Sequence, residues 1–136
     1  MIEEPPRVLD ASALVELFNG NFELMTMLGD ADRGRFSVSA PAAAVLEAQV
    51  VLKAAPWMWE QVLKERVYEL PLQGTASVVA GNFARPRLEN YLPHRVLTGP
   101  PMVGHVLHEA LVMSGTIVTT VPLNYGGHAV PLTVLR

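Results

Sequence analysis

Two acids and a hydroxyl give this chain of 136 residues its clearest chemical signal. Asp10 follows the short apolar run Arg7-Val8-Leu9, and Ser12 stands two residues further on. If that run is a strand, Asp10 lies beyond its carboxyl end, where ligands of open α/β sheets gather. A plainer reading makes Asp10 or Ser12 the cap of the helix that follows. Glu47 shifts the balance. It sits in the middle of a helical stretch, Pro41–Ala54, that is apolar nearly all round apart from Gln49. Its neighbours one turn away, Ala43, Ala44, Val50 and Val51, cannot pair with its charge. A lone carboxylate on a buried helix is costly unless something compensates it. A metal ion or an arginine from another element would do so; otherwise Glu47 and Gln49 mark the only solvated stripe of the helix. A common destination for two acids favours the ligand reading. A second cluster, His105 and His108 beside Glu109, has the spacing to share Zn²⁺ or a similar ion on one helix. A solvated polar face opposite an apolar stripe is the stronger reading of those histidines. His94 and His128 fall in loops and have no evident partner.

The elements needed to position these residues alternate along the chain. Arg7–Leu9 reads as a strand, Ser12–Phe18 as a helix broken by Asn19-Gly20-Asn21, and Phe22–Leu28 as a second helix ended by Gly29-Asp30. Phe36–Ser39 alternates like a strand, and Pro41 opens the long helix at a favoured first-turn position. Trp57–Lys64 is helical behind Pro56, with one of Trp57 and Trp59 directed into the core. Val67–Leu70 reads as a strand, Gln73–Phe83 as a helix and Arg87–Leu92 as a shorter one. Met102–Ser114 is amphipathic and closed by Gly115. Thr116–Thr120, rich in β-branched residues, is the clearest strand. Pro122–Gly127 is a turn-rich loop, and Ala129–Leu135 an edge strand with Pro131 near its start. This alternation predicts an α/β fold: one three-layer domain over residues 1–136, with a mostly parallel sheet of four to five strands and helices on both faces.

Composition narrows the chemistry. Half of the residues are apolar, 17% are charged, and the net charge is −3, with no Lys/Arg cluster to announce a nucleic-acid surface. The mean hydropathy of +0.27 suits a protein that hides part of its surface in an oligomer. The absence of cysteine removes disulfides, thiolate zinc sites and cysteine nucleophiles, and fits a reducing cytoplasm. Met1–Arg7 is too polar for a signal peptide, and the longest apolar runs are too short to span a bilayer. There is no Gly-rich phosphate loop with a lysine, no nucleophile elbow and no H-E-x-x-H.

Several segments, taken in order, resemble one family. Val8-Leu9-Asp10-Ala11-Ser12-Ala13-Leu14 is similar to the opening of PIN domains, a strand ending in Asp with Ser or Thr two residues later. Ser39-Ala40-Pro41 through Leu46-Glu47-Ala48 resembles their second strand and the helix carrying a second acid. Val103-Gly104-His105 through Glu109-Ala110, then Gly115-Thr116-Ile117-Val118-Thr119, resembles their late helix and strand. The resemblance implies metal-dependent ribonuclease chemistry of the VapC toxin type, in which acids gather one or two Mg²⁺ or Mn²⁺ ions to activate water and neutralise charge on a phosphate. Asp10 and Glu47 would then be metal ligands and catalytic residues, with Ser12 supporting Asp10 or a metal-bound water. It also implies RNA and an antitoxin, or another protein, as partners, and a homodimer.

The chain departs from that pattern at two places. The family's third acid falls at Val103 or Gly104, and its fourth at Thr120-Val121. Glu109 lies six residues beyond Val103, on another face of the helix, and Glu89 has no clear route to the site. The expectation is a reduced acidic site that binds Mg²⁺ or Mn²⁺ weakly, in a protein weak or inactive as a nuclease and working by binding. The alternatives are an active Mg²⁺-dependent endoribonuclease of a toxin–antitoxin pair, and an unrelated small α/β binding protein in which Asp10 only caps a helix.

Overall fold

The computed structural model describes residues 4–89 and 97–136. Five strands, β1 (Arg7–Leu9), β2 (Val38–Pro41), β3 (Tyr68–Leu70), β4 (Thr116–Thr119) and β5 (Leu132–Val134), form one sheet in the order β3-β2-β1-β4-β5. Every neighbouring pair is parallel. Val8, Leu9, Ile117 and Val118 are wholly buried, as central strands covered on both faces must be. The helices are α1 (Ala11–Phe18), α2 (Phe22–Asp32), α3 (Ala42–Leu52), α4 (Pro56–Glu65), α5 (Gly74–Glu89) and α6 (Pro100–Val112). The chain steps outward from β1 to β2 to β3, then returns across the sheet to β4. Right-handed crossovers therefore set the α1–α4 layer on one face and α5–α6 on the other. This is the three-layer α/β domain anticipated from the alternation of elements.

Several element limits differ from the sequence reading, each for a physical reason. Helix α2 runs through Gly29, a tolerable cost of about 1 kcal/mol. The chain turns after α2 at Gly34, whose φ of +84° suits glycine. Pro41 does not open α3. It ends β2 in an extended conformation and precedes the first turn, where its missing N–H costs nothing. Helix α5 is one helix that continues through Pro86, not two; Leu92 and His94 lie outside the described residues, as does the Glu89 side chain. Gly104 shows how closely α5 and α6 approach. A Cβ there would collide with the Ala80 carbonyl oxygen and lie 3.2 Å from the Ala84 nitrogen. That backbone contact is absent from any periodicity and lies on the turns of α5 before its proline. The loop after β4 contains a 3-10 helix, Pro122–Tyr125.

Helix α3 is less buried than its composition suggested. Leu46 is 68% exposed and Val50 67%. Gln49 is not part of a solvated stripe: its Oε1 accepts from Trp59 Nε1 at 2.7 Å and from the Ala54 N–H at 3.1 Å, while its Nε2 donates to the Ala54 carbonyl at 2.8 Å. It thereby staples the α3–α4 turn. Trp59 enters the core beside Phe18, with ring centroids 4.6 Å apart, and Trp57 faces solvent.

Candidate functional site

Strands β1 and β4 are neighbours, yet the chain leaves β1 for one face and reaches β4 from the other. Their carboxyl ends therefore open a crevice at a topological switch point. Asp10 and Thr119–Val121 stand there. The Asp10 main-chain N–H still donates to the Val118 carbonyl at 3.2 Å, so the residue is anchored to the sheet. Its side chain is the N-cap of α1: Oδ1 accepts from the Ala13 N–H at 3.0 Å and from the Ser12 hydroxyl at 2.7 Å. Ser12 also accepts the Thr120 N–H at 2.8 Å. The Ser12 and Thr119 hydroxyls lie 3.2 Å apart, and Thr119 accepts the Val121 N–H at 2.8 Å. These bonds knit the start of α1 to the end of β4.

Tyr125, not singled out in the sequence, completes the cluster. Its hydroxyl donates to Asp10 Oδ2 at 2.7 Å, and both residues are buried. Burial, the Asp10 charge and hydrogen bond, and then Glu47 push the Tyr125 pKa well above 10.0, with Arg87 opposing. The phenol thus stays protonated and donating. Burial raises the Asp10 pKa above its ordinary 3.8, against the pull of Thr119, Ser12, the Ala13 N–H and Tyr125. Only an aromatic at the end of a turn-rich loop hints at Tyr125 in the sequence, and nothing in its spacing points back to residue 10.

Glu47 faces the same region from α3. Its Oε1 accepts the Gly99 N–H at 2.9 Å, a main-chain partner invisible to residue-type reasoning. A Cβ at residue 99 would meet the Glu47 carboxylate, which would have to swing aside and give up this hydrogen bond. Both acids act electrostatically on Tyr125, Asp10 through a direct hydrogen bond and Glu47 through its charge alone. Val103 and Val121, from the two stretches (Val103 or Gly104, and Thr120-Val121) where the resemblance puts further acids, line a common cleft of about 670 Å³.

This donor set does not fit the acid-rich centre that the resemblance implies. A divalent ion such as Mg²⁺ wants several open oxygen ligands. Both Asp10 oxygens already accept hydrogen bonds in a fully buried setting, and the described lining of the neighbouring cleft contains no carboxylate. Among the described residues, no three His, Asp or Glu side chains cluster to hold a metal ion.

The solvated reading of His105 is overturned. It is completely buried; its Nδ1 accepts the Ala43 N–H at 3.2 Å, and its Nε2 meets Glu109 Oε1 at 3.3 Å. Helix α3 has no side-chain cap of its own, since Pro41 precedes it, so His105 caps it from α6. Burial lowers the His105 pKa below 6.5, with Glu109 pulling the other way. Glu109 is thereby committed to His105 and does not join Asp10.

The fold defined by this sheet order and crevice is PIN-like. The chain is similar to a chain of the crystal structure of VapBC2 from Rickettsia felis bound to a DNA fragment from their promoter, with a TM-score of 0.65 and 12% identity, over 96% of this chain and 98% of that one. It is equally similar, at 10% identity and the same TM-score and coverage, to a chain of DNA-bound VapBC from Salmonella typhimurium. At such identities the likeness establishes the fold alone. No family model and no curated protein matches the sequence.

Proposed function

We propose that this chain is a PIN-like domain that acts by binding and has little or no nuclease activity. The observation that carries the reading is the Tyr125 hydroxyl 2.7 Å from Asp10 Oδ2, which occupies the oxygen a metal ion would need. Val103 and Val121 support it, because they set apolar walls where further acids would stand. Mg²⁺ or Mn²⁺ then meets Glu47 and a shielded Asp10, and binds weakly. The partner is a protein of the antitoxin kind, a reading supported by likeness to two VapBC complexes. A second copy of the chain packs on the apolar residues that α3 leaves open, Leu46 and Val50. RNA enters this reading only as a bound and uncut ligand, and a cytoplasmic location goes with it.

Titration calorimetry with Mn²⁺ and incubation with an RNA pool test this directly. The expected result is feeble ion binding and no cleavage that depends on Asp10 or Glu47. The rival reading, an active Mg²⁺-dependent endoribonuclease of a toxin–antitoxin pair, draws support from the charge of both acids being felt at Tyr125. In that reading Asp10, Glu47 and Ser12 are the catalytic residues. Cleavage abolished by both Asp10→Asn and Glu47→Gln would establish it.

A further inference from the structure

We infer that the cleft between α5, the start of α6 and the 3-10 helix binds a small organic anion, a carboxylate or phosphate carried on an apolar body. The inference rests on the binding reading above and names the ligand class for that end of the sheet. The cleft encloses about 670 Å³, within the roughly 300–1,000 Å³ usual for small-molecule sites. Pro86, Pro100, Val103, Val121 and Leu123 give it apolar walls.

Among the described residues that line it there is one full charge, the Arg87 guanidinium, and no acid. Arg87 lines the cleft and is fixed by main-chain carbonyls: Nε and Nη2 each donate to Asn124 O at 3.3 Å, and Nη1 donates to Phe83 O at 3.0 Å. Those acceptors are neutral, and no carboxylate among the described residues forms an ion pair with Arg87. A guanidinium carries about five N–H donors, so donors remain for a ligand. Burial works against its charge, a cost that an incoming anion would relieve. His128 also lines the cleft, held edge-on against Phe83 with centroids 5.5 Å apart. Its pKa is lowered by burial and by Arg87, which places the imidazole within reach of the same charge. The valines complete the argument. An acid at position 103 or 121 would neutralise Arg87 and repel an anion; hydrocarbon there leaves the cation to recruit one and offers its apolar part a surface.

Calorimetry on the full chain with phenyl phosphate, benzoate and neutral benzyl alcohol tests the inference. Both anions should bind, with benzyl alcohol weaker by about tenfold or more, the scale of a charge-assisted hydrogen bond. Arg87→Gln should weaken both anions by about as much. Val121→Asp, which returns an acid to the cleft and keeps Arg87 in place, should do the same, while Arg66→Gln, away from the cleft, leaves binding unchanged. Thermal melts confirm that each variant is folded. Equal affinity for benzyl alcohol, unchanged binding in Arg87→Gln and Val121→Asp, or no binding at all overturns the inference. So does displacement of phenyl phosphate by lower concentrations of a short oligoribonucleotide, which would assign the phosphate to a nucleic acid. An RNA-cleavage assay on the same preparation separates the two readings. Anion binding together with Asp10-dependent cleavage sinks only the non-nuclease reading, and neither activity sinks only the anion site.

Discussion

At the scale of single residues, Asp10 is both the helix cap and the hub of the crevice. Tyr125→Phe leaves Asp10 Oδ2 buried without its donor, which should cost about 1–3 kcal/mol of stability in urea unfolding. A cost near zero would mean that the phenol is not closing the carboxylate. Asp10→Asn tests the protonation side. The folded-state pKa of Asp10 lies above its ordinary 3.8, so its favourable contribution is fully present below that pH. It is lost as pH rises through the folded value. The stability of Asp10→Asn relative to wild type should therefore improve as pH climbs from 3.8, and a constant difference would contradict the burial argument. The position of Asp10 at a strand end was legible because a short apolar run closed by an acid has a physical signature. Tyr125 and Gly99 were not legible. One acts from a loop whose path no periodicity fixes, and the other acts through its main chain.

At the scale of elements, α3 depends on α6 for its first turn. The His105 pKa is lowered in the fold from 6.5, so the neutral ring's contribution is present above that value. It is lost as pH falls below 6.5 through the folded pKa. Thermal midpoints of wild type should drop across that range, and the slope should shrink in His105→Asn. An unchanged slope would assign the acid sensitivity elsewhere. Gly104→Ala should separate α5 from α6 and cost about 1–3 kcal/mol, the usual penalty of overpacking, with circular dichroism reporting the melt. Strands were readable where β-branched and apolar residues cluster, as in Thr116–Thr119. Helix ends were misplaced where packing overrode local signals, at Gly29 and at Pro86. His105 was misread because a histidine beside a glutamate looks solvated until the element it caps is known.

At the scale of the molecule, the exposed apolar residues of α3 bear on association. If Leu46 and Val50 seat a second copy, light scattering should give a dimer for wild type and a monomer for the double variant Leu46→Glu, Val50→Lys, with the fold unchanged. Equal masses for the two proteins would remove that face from the proposal. The strand order has a consequence of another kind, concerning synthesis. β1 lies in the middle of the sheet, and its second neighbour, β4, begins only at Thr116. Arg7 pairs with Thr116 and Leu9 with Val118, so this edge cannot close until the chain as far as Val118 has left the ribosome. Closing so long a loop late makes folding slow. Until then the nascent protein carries an apolar strand with a bare hydrogen-bonding edge, open to chaperones or to a neighbouring nascent chain.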